Sequence, residues 1–148
     1  MAVAAVGSTT LGWAMALLLA PAALGDDPAV HLGPALPVAV YWAGSVLCHQ
    51  QPDRSPRWFG RQAPVCGRCV GLYFGAPLGA LTAASAWSRR LSPNARTVLL
   101  VAAVPTALSL LLGLAARDGE VLGRALAGIP LGAAAAWALT AVVAGDVA

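Results

Sequence analysis

Sorted only into apolar and polar positions, the chain resolves into long apolar runs divided by short polar breaks. Residues 1–25 carry no charged side chain, and the stretch TTLGWAMALLLAPAAL at 9–24 is long enough to cross a bilayer before Asp26 and Asp27 stop it. Its first residues lack Lys and Arg, which favours a retained helix over a cleaved signal peptide. Further runs extend from Leu32 to Leu47, Val70 to Trp87, Thr97 to Ala116 and Ala125 to Gly145. The second, at about sixteen residues, is short for a span, and its central Tyr41 and Trp42 are expected to pack inward. The runs are continuous and Ala/Leu-rich, without alternation, so they predict helices rather than barrel strands. The expected fold is all-α: an integral membrane helical bundle of four to five transmembrane helices, forming a single domain over residues 1–148.

Composition sharpens that reading. Hydrophobic residues make up 59% of the chain, charged residues 10%, and the mean hydropathy is +0.74. A soluble domain carries about 25% charged residues, so this chain could not cover a water-facing surface. The lipid bilayer is therefore its first partner. The net charge of +3 comes with nine Arg and no Lys, a pattern expected of a G+C-rich, bacterial genome. No basic stripe falls on one face, which excludes a nucleic-acid partner. The expected location is the bacterial plasma (inner) membrane, crossed several times. Arg54, Arg57, Arg61, Arg117 and Arg124 stand on one side, against Arg89, Arg90 and Arg96 on the other, a count that favours the first group facing the cytoplasm.

Small residues recur along two of the runs. Gly71, Gly75 and Gly79 are four apart, with Ala83 next in the row; Gly128, Gly132 and Ala136 repeat the spacing in the last run. Such strips let another helix backbone approach closely, either inside the bundle or in a homo-oligomer joined through these faces. Pro77, Pro105 and Pro130 lie inside helical runs, where a bundle tolerates them if neighbours satisfy the freed carbonyls.

The chemistry is concentrated between residues 45 and 80, which hold all three cysteines, one of the two histidines and four of the nine arginines. Cys66 and Cys69 form a CxxC at the start of the third run, where positions three apart share a helix face and the helix N-terminus favours thiolate. Cys48 and His49 end the preceding run, and the linker from Gln50 to Val65 is long enough to bring them back to the CxxC. Cys48, His49, Cys66 and Cys69 would make a Cys₃His set suited to zinc or another transition metal. Because Cys48 and His49 are adjacent, His49 has a second role open to it, beside the metal and hydrogen-bonded to Asp53. A shared zinc requires the three sulfurs to lie within about 4 Å of one another, with the linker folded as a cap and Trp58 and Phe59 turned into the interface. No His follows the second Cys, so covalent haem attachment is not expected. His31 reads as a plain loop residue. Arg68, between the CxxC cysteines, would stabilise thiolates or an anion, and Glu120 with Arg124 would form an ion pair one turn apart.

CHQQPDRS at 48–55 followed by PVCGRCVGLYFG at 64–75 resembles the signature of a family of small bacterial membrane proteins built on a domain of unknown function. Gly67 and Val70 stand where Ala and Thr are commoner in that family. The resemblance implies a multi-pass membrane protein and groups Cys48, His49, Gln50, Arg54, Ser55, Cys66, Arg68, Cys69, Gly71, Tyr73 and Gly75 as one unit. Three functional expectations follow: a membrane protein with a Cys/His metal site at the interface, supported by Gln50, Asp53, Arg54, Ser55, Arg68 and Tyr73; a membrane thiol–disulfide oxidoreductase using the CxxC; or an assembly protein in which the cluster only locks helices.

Overall fold

A computed structural model describes residues 2–24, 35–85, 94–115 and 120–144. Within these, five helices follow in order: α1 (Ala2–Ala23), α2 (Ala35–Leu47), α3 (Gly67–Ala84), α4 (Ala95–Ala115) and α5 (Val121–Ala144). One 3₁₀ turn (Pro52–Arg54) and a two-stranded hairpin, β1 (Arg57–Trp58) and β2 (Arg61–Gln62), occupy the link between α2 and α3. The expected all-α membrane bundle is present. Asp26, Asp27, His31, Arg89, Arg90 and Arg117 fall outside the described residues.

The bundle is built on α3. A Cβ added at Gly71 would overlap the Ala125 carbonyl, one at Gly75 that of Ile129, and one at Gly79 that of Ala133. Reciprocally, Gly128 lies against the Arg68 carbonyl and Gly132 against that of Leu72. The paired positions advance together, so α3 and α5 run parallel, backbone against backbone. Carbonyls this close to glycine Cα atoms add weak C–H···O attraction to dispersion, which drives helix association where lipid removes the hydrophobic incentive. The two glycine faces therefore meet each other within the chain.

The remaining helices pack around that pair. α1 is antiparallel to α3: Trp13 meets Tyr73 edge-on at 5.9 Å, while Gly7 lies beside Ala80 further along. α4 returns antiparallel to α5, with the Thr106 hydroxyl donating to the Ala127 carbonyl at 2.7 Å. Val3–Ala23, Ala95–Gly113 and Val121–Ala144 are long and apolar enough to cross a membrane. Leu100, Val101, Leu108 and Leu111 on α4 are among many large apolar side chains facing outward, where only lipid would favour them.

α2 differs from the others. Thirteen residues rise about 20 Å, short of a hydrocarbon core about 30 Å thick. Its Val40 packs with Leu17 and Val65, and the Tyr41 hydroxyl donates to the Gln62 carbonyl of the hairpin. It belongs to the cap at the cysteine end. Tyr41 packs against the core as expected, but Trp42 is 70% exposed, correcting the expectation that both turn inward. Successive helical residues are about 100° apart, so a short helix with one buried face cannot bury both.

Replacing Gly75 with Leu should abolish the close α3–α5 approach and cost at least about 3 kcal/mol of stability in detergent. Gly12→Leu, where nothing lies within 4 Å of an added Cβ, is the control and should unfold near wild type. Thermal unfolding of both variants checks the pair.

Candidate functional site

The site is made where the end of α2, the linker and the start of α3 meet. Gln50 sits in the left-handed region (φ 47°), which reverses the chain just after Cys48. Its side-chain amide donates to the Tyr41 carbonyl at 2.9 Å and to the Pro64 carbonyl at 2.7 Å, while its own carbonyl accepts from Gln62 Nε2 at 2.6 Å. One residue thus ties α2 to the segment just before the CxxC. Gly44 makes the approach feasible, since any Cβ there would strike the Pro64 carbonyl.

The linker is a folded cap, as expected. Buried Ser55 closes the 3₁₀ turn by donating to the Gln51 carbonyl at 2.9 Å. Phe59 (φ 53°) and Gly60 (φ 72°) form the two-residue turn of the hairpin, with the positive φ at both positions that a type I′ turn demands. Trp58 meets Phe74 edge-on at 6.5 Å, and Phe59 is 67% exposed at the tip of the hairpin. Arg54, Arg57 and Arg61 are exposed.

The folding-back brings the cysteines together. Cys48, Cys66 and Cys69 have sulfurs all within 4.8 Å of one another. Three points so spaced have a common centre no more than about 2.8 Å from each, against about 2.3 Å for a zinc–sulfur bond, so a contraction of about half an ångström suffices. The Cys66 amide donates to Cys48 Sγ at 3.2 Å, and Cys66 and Cys69 Sγ are 3.6 Å apart. All three are free thiols. Cys66 lies just ahead of α3 as its N-cap. A shared hydrogen placed on Cys69, reinforced by nearby donors, holds the Cys66 thiol down to about 5 against the opposing effect of burial.

His49 is exposed and outside the three-sulfur group; among the described residues no hydrogen bond joins it to Asp53, which is also exposed. It does line, with Gln50, Gln51, Arg54, Arg68 and the cysteines, a cleft of about 250 Å³ beside the sulfurs. Tyr73 packs against the apolar cluster that backs them. Arg68 reaches away to α4, donating from Nε to Ser109 Oγ at 3.2 Å and from Nη2 to the Ser109 carbonyl at 2.7 Å. The expected Glu120–Arg124 ion pair is not formed: Glu120 is exposed, whereas Arg124 is buried with two unpaired nitrogens. Packing of α5 against Gly67 turns the arginine inward, away from its helical neighbour. Gly44 was not singled out by sequence reasoning; a lone glycine in a short apolar run gives no periodic signal.

A helical membrane bundle with a three-thiol cluster under a folded cap is the class these features define. The chain belongs to the family described as predicted membrane protein (DUF2085), whose pattern matches residues 48–138. It is also similar to an uncharacterized protein of Methanocaldococcus jannaschii, 43% identical over 42 residues, covering 28% of this chain and 27% of that protein. A second relative, an uncharacterized protein of Methanothermobacter thermautotrophicus, is 47% identical over 30 residues, 20% of this chain and 27% of the relative. The matched segment thus spans about a quarter of each relative. Both organisms are archaea, so these relatives do not carry the bacterial source expected from the Arg-only composition. No solved structure matches the chain.

Gln50→Ala would leave two carbonyls without their donor and loosen the clasp on Cys48, a loss of about 1–3 kcal/mol. Maleimide labelling of Cys48 in a Cys66→Ser/Cys69→Ser background should then accelerate by about tenfold, a change read directly by mass shift against the same background with Gln50 intact.

Proposed function

We propose that this protein is a multi-pass cell-membrane protein that holds one transition metal, zinc foremost, through Cys48, Cys66 and Cys69. The observation that carries the reading is the return of Cys48 to the CxxC across an ordered linker. An isolated CxxC is open to several uses, but a third thiol held against it is what a thiolate-bound zinc or copper(I) needs. Three thiolates around a divalent ion leave one negative charge, and the cationic side chains beside the cleft favour it. His49 serves from outside the sulfur group, lining the cleft toward which a fourth position would open. The metal would close the cap onto α3 and could present that open position to a small ligand.

Thiol–disulfide exchange is the second reading, favoured by the 3.6 Å Cys66–Cys69 separation and the acidic Cys66 thiol. A purely assembling role, with the cluster only locking helices, is the third.

Protein purified without chelator should contain one metal per chain by elemental analysis, lost in Cys48→Ser, Cys66→Ser and Cys69→Ser. His49→Ala should retain the metal with affinity weakened by about tenfold to a hundredfold. A metal-free preparation with a reducible Cys66–Cys69 disulfide would replace this reading by the redox one. A metal-free preparation with three unreactive thiols would leave the assembling role.

A further inference from the structure

Arg124 stands in the first turn of α5 and is only 5% exposed, yet its Nε and Nη1 are sealed from solvent and meet no acceptor. Among the described residues it has no ion pair. Glu120, one turn earlier, contributes only its carbonyl to the Arg124 amide. An enclosed guanidinium without a counter-charge is strongly unfavourable, and the unpaired amides of the first helical turn make the local potential more positive still.

A second guanidinium approaches the same place. The point where a Cβ on Gly113 would stand is 3.0 Å from Arg68 Nη2 and 3.7 Å from Arg124 Nη2. Two arginines, from α3 and α5, thus converge on one glycine near the end of α4. The Ser109 carbonyl and hydroxyl answer Arg68. Nothing among the described residues answers Arg124 in the same way.

We propose that Arg68 and Arg124 bind a phosphate group in the angle between α3, α4 and α5, and that Gly113 lacks a side chain because one would stand where the guanidiniums meet the anion. Planar guanidinium forks match phosphate oxygens, and the pair supplies the positive charge that a phosphate dianion or diester requires. The site lies at the capped end of the bundle, where a lipid headgroup would be found. Leu111 and Leu112 of α4 and Leu122 of α5 face outward around it, so acyl chains of a phospholipid could lie against the helices below the phosphate. A free phosphate would use the same two arginines. Arg68 also lines the thiol cleft, whereas Arg124 and Gly113 do not, so the proposal is tested through those two residues and separately from the metal reading.

The test is thermal unfolding of the full chain in lipid-depleted detergent, with inorganic phosphate, with phosphatidylglycerol, or with chloride at matched ionic strength. Wild type should gain about 5 °C over chloride in at least one arm. A gain with phosphatidylglycerol alone assigns the site to a lipid phosphate; a gain with inorganic phosphate shows that a free anion is accepted. Arg124→Met should lose the gain. Gly113→Ala keeps both charges but fills the meeting point, so it should lose the gain too, and it carries the comparison even where Arg124→Met does not fold. No gain in wild type, or the same gain in Gly113→Ala, overturns the proposal. Metal content of the same preparations reports separately on the thiolate site.

Discussion

The close parallel contact between α3 and α5 is the constraint on which the rest of the architecture depends. In a bilayer, apolar side chains gain nothing by leaving lipid for one another, so helices associate where backbones can come near enough for dense packing and weak C–H···O contacts. Glycines meet that condition at six positions along these two helices. The result is a stiff central pair, with α1 against one side and α4 against the other. The start of α3 and the start of α5 are consequently held at the same level, at the end where all the polar chemistry is gathered.

From that fixed end the cap is assembled by hydrogen bonds rather than by hydrophobic packing alone. Gln50 supplies both the chain reversal and the donor that joins the Tyr41 and Pro64 carbonyls. Its neighbour two residues earlier, Cys48, is thereby delivered to the CxxC. Behind the sulfurs, Leu17, Val40, Val65 and Val70 form an apolar wall, with Tyr73 and Trp58 at its edge. Low polarity on one side and a polar cleft on the other give the thiols a defined open face. An ion held by the three sulfurs would exchange from the open side, with the enclosed side holding the geometry.

Arginine plays two different parts at this end of the bundle. The cap arginines, Arg54, Arg57 and Arg61, are exposed and can meet headgroups or water freely. Arg68 is half-buried and tied to Ser109 of α4, and Arg124 is buried in the first turn of α5. In a medium with few counter-charges, the distinction is large: an exposed guanidinium is solvated, while an enclosed one imposes a demand on whatever occupies the space beside it.

The amino-acid sequence by itself determined the helices, because apolar runs and their polar stops are local properties: among the described residues each expected run is occupied by a helix. It also marked the glycine strips and grouped the three cysteines. What only the tertiary structure decided is which surfaces meet. Gly71 and Gly128 carry the same signal whether they face each other or a second copy, and their pairing depends on where two distant segments lie. Cys48 reaches the CxxC through a left-handed Gln50 and the bare face of Gly44, neither of which belongs to a periodic pattern. Trp42 faces outward beside an inward Tyr41, and Arg124 turns inward away from Glu120, because burial is set by neighbours far along the chain. Helical periodicity states how many faces a segment has; the packing of the whole bundle selects the face that is buried.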